Sequence, residues 1–224
     1  MTTFLVAAIQ MDTTSNQDQN LSVVADFIGE AAKKGAKLIA LPETMAYLGR
    51  DYAALSEAVP GGKTATYLST LARKYGVYIE GGSLYERNEN DPARPYNTTF
   101  LLGPDGAFLG KYSKLHPFDV VLDSGVTSRE SSHVAPGHEI VTVKTAGVGT
   151  LALASAMTCG LESSSVLWPF GAHRFWCFLR TLRKQRAAPI GKSLFGPGPL
   201  KMNATSLHRT KWERSLALRP MVTP

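Results

Sequence analysis

The sequence has little cysteine: Cys159 and Cys177 are its only thiols in 224 residues. Two cysteines cannot build a disulfide framework, so a stapled secreted module is excluded and a reducing cytoplasm is the expected setting. Long apolar runs are also missing. Residues 4–11 (FLVAAIQM) form a run far shorter than the roughly 20 residues a membrane-spanning helix needs, and no basic stretch precedes it as in a secretory leader. No His/Cys cluster with ligand spacing occurs, so no metal site is expected. No internal repeat is found before Ser155, which excludes a solenoid. Acid is scarce in the last third. Residues 156–224 carry 11 Lys and Arg against Glu162 and Glu213, net +9, whereas residues 1–155 carry 13 basic and 16 acidic side chains, net −3. All three tryptophans and both cysteines fall in the basic part. Such a step marks two domains or a basic tail.

The first 155 residues read as one α/β unit. Residues 4–11 have strand length. Asn20, as N-cap, opens a helix whose apolar positions Leu21, Val24, Phe27, Ile28 and Ala31 recur at helical spacing, with Lys33, Lys34 and Gly35 at its end. Residues 37–41 (KLIAL) form a second strand stopped by Pro42, completing a βαβ-like unit. Residues 64–75 give a second amphipathic helix ending at Gly76, and Val77 starts a third strand. Gly81-Gly82 marks a close backbone passage. Residues 98–102 and 107–112 flank Pro104-Asp105-Gly106 as a β-hairpin. Residues 115–137 lack periodicity and read as a functional loop. Residues 140–143 and 150–155 form a last strand pair. The alternation is that of an α/β fold with more antiparallel pairing than a simple doubly wound sheet.

Four polar groups can carry chemistry. Glu43 follows the KLIAL strand, where a carboxylate faces a cleft at strand ends and can act as a general base; the ordinary alternative is a surface acid. Lys114 in KYSKLHPFD stands where a strand enters a loop and can stabilise an oxyanion; alternatively it is a solvated strand-end cation. Glu130 in SRESS can position a substrate amine or amide, or be an exposed loop acid. Arg129 can meet a substrate carboxylate. His116 and Asp119 read as loop-orienting groups. The basic run Arg180, Arg183, Lys184 and Arg186, with Phe175, Trp176 and Phe178 before it, has nucleic-acid-like composition but no accompanying motif.

Taken together and in order, these pieces resemble the nitrilase superfamily of carbon–nitrogen hydrolases, in its amidase-like branch. The matching stretches are AAIQM, LPE with Glu43, Tyr96-Asn97-Thr98, the GPDG hairpin, KYSKLHPFD and the RES segment before Pro136-Gly137. The resemblance covers residues 1–155. It implies a four-layer α-β-β-α sandwich and a Glu–Lys–Cys triad that hydrolyses a small linear amide through a thioester, without metal or cofactor. It places Glu43 as general base, Lys114 beside the oxyanion, Glu130 as the second, substrate-positioning glutamate, and Arg129, Tyr96 and Asn97 at the substrate. It also implies a homo-oligomer with a small-molecule amide as its partner.

The resemblance ends at one residue. The family's nucleophile opens a CYDLR-like sequence directly after a strand such as residues 151–155. Here that position is Ala156, followed by Met157-Thr158-Cys159-Gly160. Cys159 comes three residues late, roughly 10 Å along an extended chain, too far for a near-attack geometry. A thiolate is what the chemistry needs, and alanine has none. One lost base explains the change. TCC TGC TAT GAC CTG CGG encodes SCYDLR; without the T of the cysteine codon it reads TCC GCT ATG ACC TGC GG, which is Ser155 to Gly160 as they stand. Codons for residues 168–178, read one base earlier, can give ALWGAQVLVL, and those for 189–202 can give HWEVLVRARAIEN. Residues 156–224 are therefore expected to be an out-of-frame tail, poorly packed and with no domain of its own. Residues 1–155 would be the N-terminal part of a truncated hydrolase domain with open sheet edges, inactive at Ala156. The alternative is a non-catalytic nitrilase-like interaction protein whose basic tail binds nucleic acid.

Overall fold

The computed structural model describes residues 3–121, 127–155, 175–179, 205–206 and 214–222. Strand β1 (Thr3–Met11), helix α1 (Gln17–Lys33) and strand β2 (Ala36–Ala40) form the first βαβ unit, with β1 and β2 parallel. Helix α2 (Lys63–Tyr75) leads to β3 (Tyr78–Glu86), parallel to β2. Strands β4 (Tyr96–Leu102) and β5 (Phe108–Ser113) follow as an antiparallel hairpin. Its turn closes where the sequence places it: Gly106 N–H donates to Gly103 O at 2.9 Å, and Asp105 Oδ1 accepts Ala107 N–H at 3.0 Å.

Helix α1 starts one turn earlier than its pattern suggests. Asn16 is the N-cap, its side chain accepting the Gln19 N–H at 3.1 Å. Asn20 is fully buried instead, donating to Thr14 O at 2.8 Å and Ala46 O at 3.0 Å. The apolar period locates a helix face, whereas the cap depends on where the chain arrives from β1.

Segment 115–137 is more ordered in outline than a loop. It contains the antiparallel pair β6 (Asp119–Val121) and β7 (Thr127–Arg129), then a 3-10 turn over Glu130–Ser132. Three-residue strands leave too little periodicity to be read from sequence. Strands β8 (Val141–Thr145) and β9 (Gly149–Ser155) pair antiparallel as expected.

The basic tail adds three strands. β10 (Phe175–Leu179) pairs parallel with β9, from Phe175 on Leu151 to Leu179 on Ser155. β12 (Arg214–Val222) runs antiparallel to β1 over its whole length, and β11 (Thr205–Ser206) pairs with β12. The large sheet is ordered β11-β12-β1-β2-β3-β4-β5, and the second β10-β9-β8. Residues 1–155 are expected to leave sheet edges open; β1 and β9 are instead paired by later strands of the same chain. In β12, Leu216 and Leu218 alternate with Ser215 and Ala217, a period-two pattern that can serve a strand whatever reading frame produced it. The expectation of poor packing for the rest of the tail lies outside the described residues.

Helices α1 and α2 bury Val24, Ile28, Leu68 and Ala72 against one face of the large sheet, on Ala7, Ile39, Ile79 and Phe100. The other face, with Leu38, Leu101 and Tyr112, packs on Leu151, Leu153 and Val148. Each such Leu or Ile contributes about 1.5–3 kcal/mol of burial. The described layers are helix, sheet and sheet, the arrangement of the first three layers of the nitrilase sandwich. The fourth, helical layer expected from the resemblance lies outside the described residues.

Candidate active site

The site lies where β2, β4 and β5 end. After β2, the Leu41 N–H donates to Glu80 O at 3.1 Å, and Pro42 then turns the chain. Residues 42–45 are stitched to Ser83 of β3. The Thr44 N–H donates to Ser83 Oγ at 2.9 Å, the Met45 N–H to Ser83 O at 3.1 Å, and the Ser83 N–H to Pro42 O at 3.3 Å. Thr44 takes a left-handed φ of 54°, an unusual conformation held by these bonds. The close passage foreseen at Gly81-Gly82 occurs here: a Cβ on Gly82, at φ 60°, would lie 2.3 Å from the Pro42 carbonyl oxygen. This corner aims the Glu43 side chain inward.

Lys114 follows β5. Its backbone N–H donates to Asn97 O on β4 at 2.8 Å. Its ammonium Nζ donates to Glu43 Oε1 at 3.0 Å and to Glu130 Oε2 at 2.8 Å. The side chains of Lys114, Glu43 and Glu130 are 3%, 10% and 14% exposed, so the ion pairs are largely shielded from water. Asn97 Nδ2 donates to Glu43 Oε1 at 3.0 Å and makes a longer contact of 3.4 Å with Glu130 Oε1. Glu130 Oε2 also accepts the Phe118 N–H. Burial by itself pushes the Lys114 ammonium down. The pull of Glu43, then of Glu130, outweighs it, so the pKa rises above the ordinary lysine value. Lys114 is therefore a fixed cation, suited to meeting developing negative charge and not to accepting a proton. The two carboxylates facing the ammonium are the groups of the cluster chemically able to accept a proton.

Glu43, Asn97, Lys114 and Glu130 are thus brought together. Tyr96 opens β4 and pairs through its backbone with Glu86 and Ala135. Arg129 ends β7 opposite Asp119, whose carboxyl it helps to hold low, and no hydrogen bond joins its guanidinium to the cluster among the described residues. Asp119 has the loop-orienting role expected of it. It accepts the Ser131 hydroxyl and backbone N–H, in that order the main causes that lower its pKa. The His116 side chain makes no hydrogen bond among the described residues. The Phe118 N–H and Ser83 had no sequence signal as site groups; only the glycine pair before Ser83 hinted at them. Beyond the cluster, an open pocket of about 480 Å³ lies between residues 50–54, Ala93 and His133. His133 stacks on Tyr52 at 4.4 Å and its N–H donates to Glu130 O at 3.0 Å. Among the described residues no group of three His, Cys, Asp or Glu is placed to hold a metal ion, and no helix is long and apolar enough to cross a membrane. Ala156, Cys159 and Arg180 to Arg186 lie outside the described residues.

The cluster is thus a shielded lysine held between two glutamates, and comparison with known proteins shows the family of the chain that carries it. The chain belongs to the carbon–nitrogen hydrolase family, whose model matches residues 5–162. It is 37% identical over 147 residues to human omega-amidase NIT2, covering 65% of this chain and 52% of that protein. It is 34% identical over 140 residues to the deaminated glutathione amidase of a Synechocystis strain, covering 62% and 52%. Among solved structures it resembles yeast Nit3, a member of branch 10 of the nitrilase superfamily, with a TM-score of 0.66 at 22% identity over 79% of this chain and 64% of that one. The Caenorhabditis elegans NitFhit protein gives 0.64 at 24% identity, over 74% and 40%. The chain spans about half the length of the curated relatives it matches.

Proposed function

We propose that residues 1–155 carry the acid–base half of an amidase site for a small linear amide, and that this chain does not complete turnover. The observation that carries the reading is Lys114 held between Glu43 and Glu130. In such a site Glu43 takes the proton of a thiol, the thiolate attacks the amide carbonyl, and the oxyanion forms beside Lys114. Glu43 then returns the proton to the leaving ammonia, and water releases the acid from the thioester. Glu130 orients the amide. No metal or organic cofactor enters these steps. The thiol is the missing part: Ala156 stands at its position in the sequence. An omega-amide is the favoured substrate, because the relatives named above include an omega-amidase and a second amidase. The same reading makes residues 156–224 an out-of-frame tail and the chain a cytoplasmic protein.

The test is amidase turnover on succinamate by this chain and by a version with its reading frame restored after Ser155. The expected result is ammonia release by the restored protein alone. Cysteine-dependent release by the chain as it stands would overturn the inactivity and point to Cys159. A coding sequence with no alternative CYDLR frame at Ser155 would remove the frame explanation.

A further inference from the structure

Asn97 touches every charged member of the cluster. Its side-chain Nδ2 donates to Glu43 at 3.0 Å and reaches Glu130 at 3.4 Å, and its main-chain carbonyl accepts the Lys114 N–H at 2.8 Å. The residue is 2% exposed, and its Oδ1 has no hydrogen-bond partner among the described residues. The amide cannot be turned round, since that would set Oδ1 against two carboxylate oxygens. A buried polar side chain with an unmet acceptor costs stability, so its retention calls for an explanation. Its neighbours differ. Thr98 and Thr99 on the same strand donate to Glu86 and Glu80, acids outside the cluster. Asn97 alone on β4 meets two acids of the site, which arrive from separate segments, Glu43 from the corner after β2 and Glu130 from the turn after β7.

We propose that Asn97 is the positioning residue of the site and not a substrate contact. Its N–H groups hold the two carboxylates at a fixed separation around the ammonium, and its carbonyl fixes the backbone from which Lys114 projects. A strand residue paired across the sheet, as Asn97 is with Tyr85, is a rigid reference for groups carried on a corner and a loop. The catalytic meaning of this rests on the amidase reading; the contacts themselves belong to this chain as it is.

Two measurements test it. The first uses the full chain, comparing thermal unfolding of Asn97→Leu and Asn97→Asp between pH 5 and 8. The aspartate variant puts a third carboxylate against two others. That group binds its proton more tightly folded than unfolded, so its stabilising effect is present at low pH and lost as pH rises. The Tm of Asn97→Asp is expected to fall relative to Asn97→Leu by about 5 °C or more from pH 5 to pH 8. Parallel curves would overturn the proposal. Asn97→Ala serves as the neutral comparator where Asn97→Leu does not fold. The second uses the frame-restored protein. Asn97→Leu is expected to lower kcat on the order of 100-fold with KM within about twofold, since small misplacements act on the chemical step. Asn97→Gln, which keeps the NH2 group, recovers part of the loss. A change in KM alone, or none in either constant, would refute positioning. If the restored parent shows no turnover, the amidase reading fails, and the pH comparison decides Asn97 by itself.

Discussion

Replacing Lys114 with methionine is the sharpest probe of the cluster. Methionine keeps the apolar bulk of the stem, so little cavity is made, but the cation that bridges Glu43 and Glu130 is lost. Were the pairs exposed, the loss would be within about 1 kcal/mol. With side chains 3%, 10% and 14% exposed and contacts of 3.0 and 2.8 Å, the setting is that of a buried pair. Removing one partner of such a pair costs about 3–5 kcal/mol, because the opposing charge that offset their desolvation is gone. That is a large part of the roughly 5–15 kcal/mol that holds a domain folded. Urea unfolding followed by circular dichroism at pH 8 is expected to show this loss for Lys114→Met. Adding Glu43→Gln and Glu130→Gln to Lys114→Met should restore most of the stability, since the two facing carboxylate charges are then removed as well. A loss under about 1 kcal/mol at pH 8 would refute the buried-cluster account.

Two further outcomes follow from the same geometry. Gly82→Ala should cost about 2–5 kcal/mol, because a left-handed φ and a contact with the Pro42 carbonyl oxygen act together. Gly76→Ala, at φ 63° with nothing within 4 Å, should cost only about 1–2 kcal/mol in the same urea titration, and equal losses would contradict the corner geometry. At high pH the raised Lys114 pKa sets the sign: its stabilising effect is complete below the unfolded lysine value of about 10.4 and is lost as pH rises through the higher folded value. Thermal melts between pH 9 and 12 should therefore show the gap between the parent and Lys114→Met closing in the alkaline range; a gap that stays constant would count against it.

The site was legible in the sequence only as names. Glu43, Lys114 and Glu130 stand in stretches that resemble a family, yet nothing local to any of them shows that they meet. Asn97 was legible as part of YNT, but its link to both glutamates was not. The Ser83 and Phe118 contacts are made by an ordinary hydroxyl and a backbone N–H, groups that carry no signal in a sequence. The edge pairing of β1 by β12 was missed because a nine-residue strand recruits its partner through backbone hydrogen bonds, which depend little on side-chain identity.

What the sequence by itself determined is local. Periodicity set the first βαβ unit and the second helix, and Pro104-Asp105-Gly106 set the hairpin. These depend on side-chain spacing and turn chemistry over a few residues. The tertiary structure alone decided that Asn16 and not Asn20 caps α1, and that residues as far apart as Glu43 and Lys114 come within 3.0 Å. Those outcomes depend on the order of β2, β4 and β5 in the sheet and on a corner that only glycine allows. Contacts between chain segments settle both, and a linear reading does not contain them.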